Sequence, residues 1–285
     1  MRRGLLLLSL VLALAGAWRP VACAEPAAAA PLVLAVIPYL PAEEIRQHYA
    51  PLVTQIGRSL GRPIDLRISA SYVAHINAVG HDQVDLALLG PATYVRVLER
   101  YGSKPLLARY EVDGKPELRG VIVVPRDSPV KTIGELRGRR FAFGDPESTM
   151  AYSVPAWALL RAGVPITALG GHDFVGSHAN VALGVLAGDY DAGAVRRDIY
   201  ETYAPRGLRS LAELPSTPGQ LIVARSNLPP SDVERVRSLL LSLHETAAGM
   251  KVLTSIEPRM TRFGAVRESD YDGLRQMMRA VSAVE

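Results

Sequence analysis

Two rhythms of apolar and polar residues alternate along this chain. Short apolar runs bounded by Gly, Pro or Asp predict buried strands at 32–37, 84–89, 120–124, 140–143, 191–195 and 221–224. Shorter strands are expected at 63–68, 106–110 and 173–175. Between them, apolar residues recur at helical spacing over 43–60, 72–79, 92–100, 148–162 and 180–187, and Gly61, Gly163 and Gly188 close three of these stretches. Strand followed by helix followed by strand predicts βαβ units and an α/β fold. The alternation pauses at Asp113-Gly114-Lys115-Pro116 and restarts after Pro125, which makes two units of about 90 residues. Pro229-Pro230 opens a helical region expected to run through Met250, and a last helix is expected over 271–281. The chain should therefore build two lobes, 32–114 with 222–285 and 115–221, around a central cleft. Each lobe should be a mixed, mostly parallel sheet flanked by helices.

The N-terminus carries an address rather than structure. Arg2-Arg3 is a positive n-region, residues 4–17 are an apolar run rich in Leu and Ala, and Ala22-Cys23-Ala24 supplies the small residues of a cleavage site. The run is shorter than the roughly 20 residues that span a bilayer. An export signal over 1–24 is expected, followed by a Pro/Ala tether over 25–31 and a periplasmic destination. Cys23, the sole cysteine, is a candidate lipid anchor, although Pro20 stands where a lipoprotein signal usually has Leu.

Composition then removes function classes. The formal charge of +4 comes largely from the leader, and what remains has 29 basic against 28 acidic residues. Nothing suggests the basic face that nucleic acid would need. Beyond Cys23 there is no cysteine nucleophile. The chain lacks a Gly-x-Ser-x-Gly elbow, a Walker loop and metal-ligand spacing among its histidines, so neither an enzyme nor a cofactor is expected.

Candidate chemistry concentrates in Gly144-Asp145-Pro146-Glu147-Ser148-Thr149, where a strand feeds a loop and two hydroxyls open a helix. A helix start presents unpaired N–H groups and partial positive charge, so this is either an anion site or an ordinary N-cap. The segment resembles the loop with which phosphonate-, phosphite- and phosphate-binding periplasmic components of ABC transporters grip an oxyanion. Other matches follow the same order: Ile37-Pro38-Tyr39, Tyr49-Ala50-Pro51-Leu52, Leu60-Gly61, Val84-Asp85, Leu89-Gly90-Pro91-Ala92, Gly176-Ser177-His178 and Gly188-Asp189-Tyr190-Asp191-Ala192.

The resemblance implies a type II periplasmic binding fold that captures a small oxyanion without chemistry. It implies an inner-membrane permease as partner, or alternatively a membrane sensor kinase, and leaves a non-phosphorus oxyanion such as a sulfonate open. Residue by residue, it implies ligand contacts from Tyr72, Ser148, Thr149 and His178. Met150 replaces a family serine, so only its backbone N–H is left to donate. Asp198 stands near the place of a carboxylate that holds a ligand ammonium in aminophosphonate binders. Gln220 replaces a second such acid, and Arg119 falls near a family tyrosine. Tyr39 and Thr93, at the ends of expected parallel strands, complete the candidate set.

Overall fold

The computed structural model describes residues 30–284. The leader, Cys23 and most of the tether lie outside the described residues. From the N-terminal side, the first lobe opens with β1 (Leu32–Val36), α1 (Ala42–Leu60), β2 (Ile64–Ile68), α2 (Tyr72–Gly80), β3 (Leu86–Leu89), α3 (Pro91–Tyr101) and β4 (Leu106–Val112). Helix α1 buries Ile45, Tyr49, Leu52 and Ile56, one stripe at helical spacing, and Gly61 ends it at a positive φ of 66°. The chain leaves this lobe through the two-residue strand β5 (Glu117–Leu118).

The second lobe holds β6 (Gly120–Pro125), β7 (Arg140–Phe143), α4 (Val154–Arg161), β8 (Gly171–Phe174), α5 (His178–Ala187), β9 (Ala192–Arg196), α6 (Arg197–Tyr203) and β10 (Leu208–Glu213). The return passes through β11 (Thr217–Pro218), which pairs antiparallel with β5, so a two-stranded ribbon joins the lobes. The first lobe is then completed by β12 (Leu221–Ala224), α7 (Pro230–Ser242), α8 (Ala247–Ile256), β13 (Met260–Gly264) and α9 (Asp272–Ser282).

The first sheet runs β13-β4-β12-β3-β1-β2 and the second β10-β6-β9-β7-β8. Both are mixed, but neither is mostly parallel as expected. In the first, only the pairings of β1 with β2 and β3 are parallel, while β12 enters antiparallel between β3 and β4 and β13 adds antiparallel to β4. In the second, β7 pairs parallel with β8 and β9, whereas β6 runs antiparallel to β9 and β10. The physical reason lies in the crossings: β12 returns into the first sheet from the end at which β4 leaves it, and β6 enters the second sheet from the end at which β9 and β10 finish. Strands β10 and β13, unforeseen in the sequence, break their apolar residues with the polar pairs Arg209-Ser210 and Thr261-Arg262, which masks the apolar rhythm.

Two further differences have local causes. The helical region after Pro229 breaks at 243–245, and Thr246 recaps it by accepting from the Gly249 N–H. The C-terminal helix α9 buries Leu274, Met278 and Val281 and packs against both α3 and α4, so it leans on each lobe.

Candidate functional site

The Gly144–Thr149 loop leaves the C-terminal end of β7 and leads into α4 through one wide π-type turn over Thr149–Ser153, rather than directly into an α-helix. Pro155 explains this detour. It has no N–H to donate back to the Ala151 carbonyl, and Gly144 N–H takes that carbonyl instead at 3.1 Å. The position demands glycine, since a Cβ on Gly144 would sit 2.6 Å from the Ala151 Cβ. The loop is thereby folded back over the start of its own helix. Ser148 Oγ accepts from the Ala151 N–H at 3.3 Å, which is the capping role anticipated for it. The Thr149 and Met150 N–H groups precede the first intrahelical pair of this turn.

These groups face a cleft with about 310 Å³ of empty space between the lobes. Ser148, Thr149, Met150 and His178 line it from the second lobe, and Tyr39, Tyr72, Gly90, Pro91 and Gln220 from the first. The Ala92 N–H, at the start of α3, donates to Thr149 Oγ1 across the cleft at 2.9 Å. The Thr149 proton is left to donate elsewhere. Tyr72 lines the same gap opposite Ser148, and burial pushes its phenol up, so it stays a neutral donor. The Met150 side chain is buried against Gly120, leaving its amide as its polar contribution.

His178 begins α5, directly after its Ser177 cap. Its Nδ1 accepts the Arg196 N–H at 3.2 Å. A backbone N–H can only donate, so the ring proton resides on Nε2. Burial, reinforced by the nearby Arg196 guanidinium, lowers the His178 pKa to about 3. The imidazole is therefore neutral at physiological pH, with one N–H to offer, and is not the cation a sequence reading would readily assume.

Arg196, absent from the sequence-derived set, ends β9 in the same wall. Asp198 binds it twice, to Nε at 2.9 Å and to Nη2 at 2.8 Å, and Glu257 of the other lobe reaches Nη2 at 3.3 Å. Burial opposes the guanidinium charge, but Asp198, Tyr39 and Glu257 hold it firmly protonated. Burial opposes the Asp198 charge as well, yet the Arg196 guanidinium outweighs it and keeps that carboxyl below its ordinary value. The guanidinium also lies over the Tyr39 ring, 5.2 Å from its centroid. The sequence did hold a signal for Arg196: a charged residue closing an apolar strand, with an acid two positions on, where strand ends face a crevice.

The remaining candidates sit elsewhere. Thr93 is buried, but its hydroxyl donates to the Gly90 carbonyl at 2.7 Å and it does not line the cleft. Arg119 is 41% exposed and pairs with Asp113 at 3.6 Å. Arg119 and Asp198 line a second cavity of about 390 Å³, which shares Leu118 and Arg196 with the cleft. Tyr39 turns its hydroxyl away from the cleft into a buried chain with Tyr49 at 3.1 Å, which continues to Tyr110 at 2.8 Å. Glu147 lines the cleft, and its carboxylate is engaged by Arg96 at 3.1 Å and Arg100 at 3.6 Å, both on α3. Among the described residues no group of His, Cys, Asp and Glu is placed to hold a metal ion.

The family profile described as "ABC transporter, phosphonate, periplasmic substrate-binding protein" matches residues 34–271. The chain is 23% identical over 225 residues to the phosphonates-binding periplasmic protein of Escherichia coli (strain K12), with 74% of this chain covered; it spans 65% of that relative's length. It is 24% identical over 272 residues to the phosphate-import protein PhnD of Mycolicibacterium smegmatis, covering 86% of this chain and 84% of that protein. Among solved structures, PhnD1 from Prochlorococcus marinus (MIT 9301) in complex with methylphosphonate superposes with a TM-score of 0.80 at 20% identity, over 88% of this chain and 98% of that one.

Proposed function

This chain belongs to the periplasmic phosphonate substrate-binding family of ABC transporters, and from that premise we propose that it captures a small oxyanion of the phosphonate, phosphite or phosphate class and delivers it to a membrane permease. The family is one of binding proteins, and no chemistry is asked of the site. The observation that carries the reading is a convergence of neutral donors from both lobes on one cleft: the Ser148, Thr149 and Tyr72 hydroxyls, the Met150 amide and the His178 Nε2–H. Fixed dipoles aimed at one point bind an anion without stranding a buried counter-charge when the site is empty. They also gain strength as closing lobes exclude water.

The ribbon of β5 and β11 provides the two crossings about which the lobes can hinge. The Thr149–Ala92 bond and the Glu147 ion pairs with α3 tie them together across the cleft. The export signal over 1–24 and the candidate lipid site at Cys23 complete the proposal as the route to the periplasm. Among the described residues no helix is long and apolar enough to cross a membrane.

The direct test is calorimetry of the protein with phosphate, phosphite, methylphosphonate and an alkylsulfonate. At least one phosphorus oxyanion should bind, and at about 100-fold excess over its Kd it should add about 2.7 kcal/mol of stability through mass action. A response to the sulfonate alone would move the ligand outside phosphorus chemistry. A sensor kinase as receiver would be indicated by ligand-dependent binding to a kinase ectodomain in place of the permease.

A further inference from the structure

The charges around the cleft do not balance. Arg196, its one lining cation, sits between the carboxylates of Asp198 and Glu257, so that cluster carries a net negative charge. Glu147 is offset by Arg96 and Arg100 of α3, of which Arg100 is 46% exposed and screened by water. Asp145, in the same loop, has no cation on it among the described residues; its Oδ1 accepts the Glu147 N–H at 2.8 Å. After burial itself, the Asp145 carboxylate is the strongest influence raising the Tyr72 phenol, so its charge is felt in the cleft.

We propose that the cleft takes its oxyanion in the singly charged, protonated form in preference to the doubly charged one, and that Asp145 sets this preference. This rests on the oxyanion reading above and names the ionisation state within its ligand class. The neutral donors of the cleft reward a first negative charge. A second charge gains no counter-ion there. It adds repulsion from the carboxylate in excess, which a cleft partly closed to water screens poorly.

The protonated form also brings a P–O–H to place, and the cleft holds an acceptor for it. Gln220 lines the cleft, is 7% exposed, and its side-chain amide has no hydrogen-bond partner among the described residues. Its carbonyl can accept from a ligand hydroxyl without adding charge to the site. The Ser148 and Thr149 oxygens already accept from the Ala151 and Ala92 N–H groups, whereas the Gln220 carbonyl is uncommitted. Burial keeps Tyr39, Tyr72 and His178 uncharged, so these three do not titrate near neutral pH. Burial also pushes the Asp145 carboxyl up, so a proton taken up on binding has two candidate seats, the ligand and Asp145.

Calorimetry on the protein with methylphosphonate at about pH 6 and about pH 9, at constant salt, brackets the ligand's second ionisation. Affinity should fall about tenfold or more from the lower pH to the upper. Matched runs in buffers of different ionisation heat should show close to one proton taken up per ligand at the upper pH and almost none at the lower. Phosphorus NMR at the upper pH should place the bound resonance with the singly charged free ligand. Asp145→Asn keeps the oxygen that accepts from Glu147 and removes the charge. It should tighten methylphosphonate more at the upper pH than at the lower, so that the difference between the two shrinks several-fold.

Equal affinity at both pH values without proton uptake would overturn the proposal. So would a bound resonance at the doubly charged position, which puts the proton on the protein, or a folded Asp145→Asn whose pH dependence matches the parent. If methylphosphonate, phosphite and phosphate all fail to bind at the lower pH, the oxyanion reading itself fails, and that outcome is distinct from binding at both pH values without preference.

Discussion

Two neighbouring cavities handle charge in opposite ways. The cleft presents hydroxyls, amides and a neutral imidazole, with only Arg196 as a lining cation. The cavity beyond Arg196 is lined by four arginines and three carboxylates: Arg196 pairs with Asp198 and Glu257, while Arg119, Arg197 and Arg259 pair with acids outside the lining. Neutral donors keep their strength when a site is empty, since each costs little to leave facing water. Buried charges must be partnered at all times, so a site made from them is already partly occupied by the protein itself. The cleft therefore keeps neutral donors free to face a ligand, whereas the neighbouring cavity is largely taken up by the protein's own ion pairs.

The largest effect that would break this comparison is expected at the hydroxyl pair. Ser148→Ala with Thr149→Ala should weaken oxyanion binding by about 100-fold or more, the order expected from two buried hydrogen bonds to a charged group. Both oxygens also accept protein N–H groups, from Ala151 and Ala92, so the ligand-free protein should lose on the order of 1–2 kcal/mol. Calorimetry and thermal melting on the same samples separate the two. A large stability loss with intact binding would return the pair to capping alone.

Next in size is the pH response of His178. Its folded pKa of about 3 lies below the value near 6.5 expected in the unfolded chain, so the unfolded state binds the extra proton first as pH falls. The stability tied to the neutral ring is complete above pH 6.5 and is lost progressively between pH 6.5 and 3. By pH 5 the deficit should be about 2 kcal/mol relative to neutral pH. Denaturant unfolding at pH 7 and 5 should show this increment in the parent and not in His178→Asn. His75, held near 4 by burial with both ring nitrogens hydrogen-bonded, titrates in the same window and cancels in that comparison. Equal acid sensitivity in both proteins would mean that His178 is not kept neutral by the cleft.

The smallest effect concerns closure. Glu147→Gln weakens the links to Arg96 and Arg100, which are partly exposed, so oxyanion affinity should fall by about three- to tenfold through a shift toward an open form. Small-angle scattering without ligand should show a larger radius of gyration. An unchanged affinity would make the pair ornamental.

How much of this was legible beforehand follows from the range of each signal. Strands such as Leu86–Leu89, buried at all four positions, stand out because a fully buried strand is an uninterrupted apolar run. The loop at Gly144–Thr149 was legible because its chemistry is local: a strand end, a glycine and two hydroxyls at a helix start. Tyr72, His178 and Gln220 drew attention through resemblance, and the fold brings all three to the same cleft. Arg119 and Asp198 drew attention in the same way but face the neighbouring cavity. Thr93 spends its hydroxyl within its own helix start.

The sequence by itself determined the alternation of strands and helices, the two crossings between lobes and the helix start that offers its amides, because periodicity, turn chemistry and capping act within a few residues. Only the tertiary structure decided that Arg196 stands between two cavities with Asp198 and Glu257 on it, that His178 is neutral with its proton on Nε2, and that Thr149 bridges to α3. Each of these depends on burial and on partners up to 61 positions away along the chain. Desolvation and pairing at that distance leave no local mark in the order of residues.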